Sequence, residues 1–175
     1  TFLVTGALSS CNHADELEPV SLAPQIVFLF SPSGLGDMSY NDCILEGVQK
    51  FKMEHKEIDI YIYSPESLLE AEKIFSDWLK RPESEIPVLF VLGSSDYEPM
   101  AELHLAEHDL TPNKSILLFE SRKQYKAENI HTFQISMFGA SYLAGVCAKQ
   151  CSEMTPLILL ANNTDSPINR AKEGF

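Results

Sequence analysis

Positive charge is scarce in this 175-residue chain: 13 Lys and Arg stand against 25 Asp and Glu, a net charge of −12. No Lys/Arg cluster relieves it, so a phosphate backbone would be repelled and nucleic-acid binding has no electrostatic footing. Cysteine is sparse as well. Of the four, Cys43, Cys147 and Cys151 fall within helical patterns, show no paired framework and read as small buried hydrophobes. Cys147 and Cys151 share a helix face at a spacing of four, but without a nearby Cys or His pair they make a poor zinc site. Gly-Lys-Ser/Thr is missing, which excludes a P-loop, and Gly-x-Ser-x-Gly is missing, which excludes a nucleophile elbow. Internal repeats, low-complexity tracts and heptads are absent too.

What is there begins with an apolar, uncharged stretch, residues 1–10, running into Cys11 and the acidic segment Asn12 to Glu18. It is too short to span a bilayer. It reads as the back half of a signal-peptide apolar region, and Leu8-Ser9-Ser10-Cys11 resembles a lipobox, which makes Cys11 the expected lipidation site. The alternative is an edge strand beginning a fold. Residues 11–24 then form a charged, proline-containing tether.

From residue 25 onward, continuous apolar runs alternate with segments of 3.6-residue period. Strands are expected at Gln25 to Phe30, Ile58 to Tyr63, Pro87 to Leu92, Ser115 to Phe119, Ile130 to Ile135 and Pro156 to Leu160. The intervening helices run from Ser39 to Glu54, with Ser39 and Asp42 spaced as a capping box, and from Ser64-Pro65 to near Pro82. Others cover the stretch up to about His108, Met137 to Gln150, and Ser166 to the end. Tyr40, Ile44, Val48 and Phe51 mark the buried side of the first helix, and Leu68, Ala71, Phe75 and Trp78 that of the second. Such alternation means right-handed β-α-β units and a doubly wound, mostly parallel α/β sheet. Residues 25–150 form one lobe on this reading, and 151–175 the start of a second, similar one.

In an open parallel sheet the ligand crevice lies beyond the carboxyl ends of the strands. The residues there are small and polar: Ser31, Ser33, Gly34, Asp37, Tyr40 and Asn41 after the first strand, Gly93, Ser94 and Asp96 after the third, and Glu120-Ser121 after the fourth. Gly34-x-Gly36-x-x-Ser39 falls one glycine short of the dinucleotide fingerprint, so no nucleotide cofactor or other cofactor is expected. His104-Leu-Ala-Glu107-His108 matches the inverted zinc-protease pattern, but its helix ends close by and no third ligand is evident. The bland reading puts both histidines on a solvated face opposite Met100, Leu103 and Leu110, and no metal site is expected. Asn113-Lys-Ser115 and Asn162-Asn-Thr164 fit the glycosylation sequon but read as turns, and Gly139 and Gly145 imply close helix packing.

Ile26 to Asn41 with Glu46-Gly47, Asn129-Ile with Ser141 to Ala148, and Asn162-Asn163 with Pro167-Ile168 and Gly174-Phe175 resemble, in order, three signatures of the basic membrane protein family. These are type I periplasmic-binding lipoproteins of ABC importers, several of which bind purine nucleosides. The resemblance implies a two-lobed clamshell about twice this length, anchored by lipid to the bacterial cell envelope and facing the periplasm or exterior, with an ABC permease as partner. Tyr40 then takes the place of the aromatic that stacks on a base. Ser31 and Glu120 replace Asp residues, Met38 replaces Lys, and Asn162-Asn163 replaces Gly-Gly. Asp96 or Glu98 supplies the acid after the third strand, and Asp37 either caps the helix or touches ligand.

The expectation is therefore a solute-binding protein, not an enzyme, that takes a small polar ligand of nucleoside type into an interlobe cleft. Two other readings differ in class: a zinc hydrolase using His104, Glu107 and His108, and a ligand sensor coupled to a membrane kinase.

Overall fold

The computed structural model describes residues 22–36, 38, 40–121, 123–151 and 166–174. Five strands, β1 (Gln25–Leu29), β2 (Asp59–Tyr63), β3 (Val88–Leu92), β4 (Lys114–Phe119) and β5 (Ile130–Phe133), form one sheet in the order β2-β1-β3-β4-β5. Every pairing is parallel. The helices are α1 (Tyr40–Glu54), α2 (Leu68–Leu79), α3 (Glu98–Glu107), α4 (Phe138–Cys151) and α5 (Ser166–Gly174), and a short 3-10 turn, Ser95–Tyr97, precedes α3.

The strands are apolar on consecutive residues because both sheet faces are covered. On one face Val27, Leu29, Phe90, Leu92, Ile116 and Leu118 pack against Ala71, Phe75, Trp78 and Leu79 of α2 and Ala101 of α3. On the other, Phe28, Phe30 and Val91 meet Ile44, Leu45 and Val48 of α1. This is the doubly wound arrangement that the alternating pattern predicts, with chain order reversing between β1 and β3.

Local details depart from the expected ones. The cap of α2 is Ser67 rather than Ser64: its hydroxyl accepts from the Glu70 N–H at 3.2 Å, while the Glu70 carboxylate accepts from the Glu66 N–H at 2.8 Å. Pro65 is instead buried in the approach to the helix. The stripe on α2 runs through Ala71, Phe75, Trp78 and Leu79, and Leu68 is half exposed. On α1, Tyr40 and Phe51 lie at the margin of the packed stripe and Leu45 joins it. Cys43, Cys147 and Cys151 are exposed, not buried, because they sit on the outward sides of α1 and α4.

Helix α4 packs closely on α5, where a Cβ on Gly174 would stand 2.2 Å from the Phe138 carbonyl oxygen. Gly145 is buried, whereas Gly139 faces open space and so does not serve close packing. The expected strand at 156–160, the signal-peptide stretch 1–10, Cys11 and most of the 11–24 tether lie outside the described residues.

The C-terminus of α2 is closed by a side chain from the far end of β4. The Lys114 ammonium, 7% exposed, donates to the carbonyls of Trp78 (3.2 Å), Leu79 (2.8 Å) and Arg81 (2.6 Å) and lies 5.4 Å from the Trp78 ring centroid. Burial and the Arg81 guanidinium lower its pKa from the ordinary lysine value. Lys114→Met would take this donor from the Leu79 and Arg81 carbonyls, while the Trp78 carbonyl keeps the Arg81 N–H, at about 2 kcal/mol. Urea unfolding should show a lower midpoint at unchanged m-value.

Candidate functional site at the strand ends

Parallel pairing brings the carboxyl ends of β1, β3, β4 and β5 to one edge, and three small structures there hold the expected site residues. The first is the turn after β1. Gly34 and Gly36 adopt φ of +83° and +100°, backbone that side chains rarely tolerate. Asp42 fastens this turn to α1: its carboxylate accepts from the N–H groups of Gly36 (2.8 Å) and Met38 (2.5 Å). The carboxylate therefore serves the turn, a use the expected capping box does not include.

Asn41 is the pivot of this turn. It is 3% exposed, and its side-chain nitrogen donates to the carbonyls of Ser31 (3.1 Å) and Gly34 (2.7 Å). Those two acceptors fix the amide's orientation, since a flipped amide would face oxygen to oxygen. Asn41 Oδ1 is buried and has no partner among the described residues. The buried Ser31 hydroxyl pairs with the Ser33 hydroxyl at 3.1 Å and accepts from the Ser33 N–H at 3.3 Å.

The second structure is the turn after β3. A Cβ on Gly93 would lie 2.7 Å from the Phe28 ring and 2.8 Å from the Leu29 carbonyl oxygen, so only glycine lets β3 leave the sheet this close to β1. Ser94 caps the 3-10 turn, accepting from the Asp96 N–H at 3.2 Å and donating to the Asp96 carboxylate at 3.2 Å. The fully buried Tyr97 donates its hydroxyl to the Phe30 carbonyl, tying this turn to the end of β1. Sequence reasoning assigned no role to Tyr97.

The third is Glu120, directly after β4, in left-handed backbone at φ +57°. Its carboxylate takes a hydrogen bond from the Ile135 backbone, yet Oε2 is buried and without a partner among the described residues. Burial raises its pKa above the ordinary glutamate value. Tyr40 is pushed up to about 12, first by burial and then by the Glu120 charge, so the β1 and β4 turns lie within electrostatic reach of each other. The Tyr40 ring remains 41% exposed. Asp37 lies outside the described residues.

The histidine motif belongs elsewhere. His104 is not on a solvated face: it is 14% exposed at the side chain, meets the Glu72 carboxylate at 3.1 Å and packs edge-on to Phe75. Leu103 is the exposed residue, because the helix rotates its histidine, not its leucine, toward α2. His108 Nδ1 lies 3.1 Å from the His104 carbonyl oxygen. Among the described residues no three His, Cys, Asp or Glu side chains gather as metal ligands would. A cavity of about 380 Å³ lies under α1, lined by apolar residues such as Phe28, Val48, Leu117 and Phe119, away from the polar turns.

No family model matches the chain. No curated protein matches it. Among solved structures it is similar to an ABC transporter system solute-binding protein from Aeropyrum pernix K1, with a TM-score of 0.58 and 19% identity over 73% of this chain. The fold is that of a solute-binding-protein lobe. The chain spans 35% of the length of that protein.

Two outcomes test this geometry. Gly93→Ala should destabilise the lobe by about 2–4 kcal/mol, because the buried Phe28 ring and the Leu29 carbonyl both block the new methyl; thermal unfolding measures it. Glu120→Gln should raise the melting temperature at pH 7. The raised pKa means that the stability linked to protonation is complete below the unfolded value of 4.5 and is lost as pH rises through the folded value. The two melting curves should therefore converge as pH falls toward 4.5.

Proposed function

We propose that this chain is the ligand-gripping lobe of a solute-binding protein that delivers a small polar molecule to an ABC permease. The observation that carries this reading is the convergence of the turns after β1, β3 and β4 on one edge, with buried acceptors there that have no partner among the described residues. Unpaired buried polar atoms cost stability, and a ligand that satisfies them returns it. The likeness to the Aeropyrum pernix solute-binding protein supports the same reading through the fold.

The mechanism is binding without chemical conversion. Tyr40 offers a ring face, Ser31 and Ser33 offer hydroxyls, and Asn41 and Glu120 offer acceptors. A second lobe, beginning with residues 151–175, closes over the ligand and expels water, and the closed form is what a permease reads. The basic membrane protein resemblance makes a purine nucleoside the first ligand to try and Cys11 the site of a lipid anchor to the cell envelope.

Titration calorimetry against a panel of nucleosides, free bases and sugars tests this. At least one member should bind, and Tyr40→Ala should weaken it by about 1–3 kcal/mol through loss of stacking. Binding that ignores Tyr40→Ala would place the ligand elsewhere.

A further inference from the structure

The opposite end of the sheet holds a second polar feature. Under the loop that joins α2 to β3, at the amino-terminal ends of β1, β3 and β4, lies a cavity of about 260 Å³. Buried Trp78 and Val27 give it an apolar floor, exposed Arg81 and Ser84 stand at its mouth, and Lys114 lines it from β4. It is larger than the void of about 150 Å³ that takes up benzene in a protein core, so it has room for a single-ring molecule.

The charge of this wall is one-sided. Lys114 gives its ammonium to three carbonyls, whereas a neutral amine has only two N–H groups and would turn its lone pair on the third oxygen. Lys114 is therefore a cation, 7% exposed, and no carboxylate pairs with it among the described residues. Arg81 adds a second positive charge, close enough to disfavour the first. No Asp or Glu lines the cavity, and Glu83 on the same loop favours the Lys114 charge from outside the wall.

The hydrogen-bonding groups are one-sided too. The Arg81 and Ser84 carbonyls are taken by Lys114 and by the Asn113 amide. The Ser84 hydroxyl oxygen accepts from the Ile86 N–H at 3.1 Å, which leaves its proton to give. The Arg81 guanidinium makes no ion pair among the described residues and keeps its planar fork of donors.

A cationic ligand would be repelled by both charges. A neutral one would fill the space and leave the two cations facing each other without a counter-charge. A carboxylate accepts from the Arg81 fork with both oxygens and relieves that repulsion. The carbonyl end of α2 opposes an anion by only about 1 kcal/mol, and Lys114 already covers that pole. The Trp78 floor suits an apolar ring.

We propose that this cavity binds a small aromatic carboxylate, its oxygens on the Arg81 guanidinium and its ring against Trp78. The site lies at the far end of the strands from the polar rim and is independent of the solute-binding reading.

Trp78 is the chain's only tryptophan, so its indole N–H signal reports on this cavity. Chemical-shift titration of the isotope-labelled chain at pH 7 compares benzoate with benzamide and phenylacetate with phenylacetamide, pairs matched in shape and differing in charge. The acids should move the indole signal and bind about tenfold more tightly than the amides. Arg81→Gln should remove that preference. The Arg81 side chain is exposed and only its backbone holds the end of α2, so the variant should melt with the parent and lost binding is separable from lost structure. Equal binding of acid and amide would overturn the carboxylate. Acid binding that survives Arg81→Gln, or that leaves the indole signal unmoved, would overturn the site, as would silence from every probe in the millimolar range.

Discussion

The strand-end edge depends on how closely β3 approaches β1 where the chain order reverses. The Gly93 N–H donates to the Leu29 carbonyl at 2.9 Å, and the missing side chain lets the following turn fold over β1. Tyr97 then locks that turn by giving its hydroxyl to Phe30. Because β1 and β3 are thus fixed together, the polar turns that follow them share one rim, and α1 and α3 start from neighbouring points. A looser junction would scatter the same residues. Positioning of the site is therefore a consequence of core packing between the first and third strands, not of the turns themselves.

The rim carries a cost that the rest of the lobe offsets. Asn41 and Glu120 keep buried acceptors without a partner among the described residues, and Glu120 occupies left-handed backbone that a glutamate adopts reluctantly. Nothing in the packing of the sheet requires either. Both faces of the sheet are apolar, with Phe75, Trp78 and Phe90 in mutual ring contact on one and Phe28 meeting the rings of Phe30 and Phe119 on the other. On the proposed binding role such local deficits lie where a ligand removes them, and a core of this kind supplies the margin.

The five strands and the five helices were legible from the sequence because continuous apolar runs and 3.6-residue periods follow directly from burial. The rim residues were legible as a set because parallel strands end together. The finer roles were not. Ser64-Pro65 looks like a helix start, but the reciprocal Ser67 and Glu70 bonds win by pairing two N–H groups at once. His104 looks solvated because its spacing allows either face, and only the position of Glu72 on α2 decides the matter. The cysteines carry no local signal of exposure. Tyr97 was invisible as a tie because its partner lies 67 residues away.

Lys114 has an effect on motion as well as on stability. Its ammonium spans from the first residue of β4 to the last turn of α2, and the neighbouring Asn113 side chain donates to the Ser84 carbonyl in the loop that joins α2 to β3. Helix ends ordinarily fray, exchanging their amide protons with solvent long before the domain opens. Here fraying would strand a buried cation beside Trp78 with its acceptors withdrawn. The end of α2 and the beginning of β4 are thereby tied together, so loosening the last turn of the helix also loosens the start of the strand.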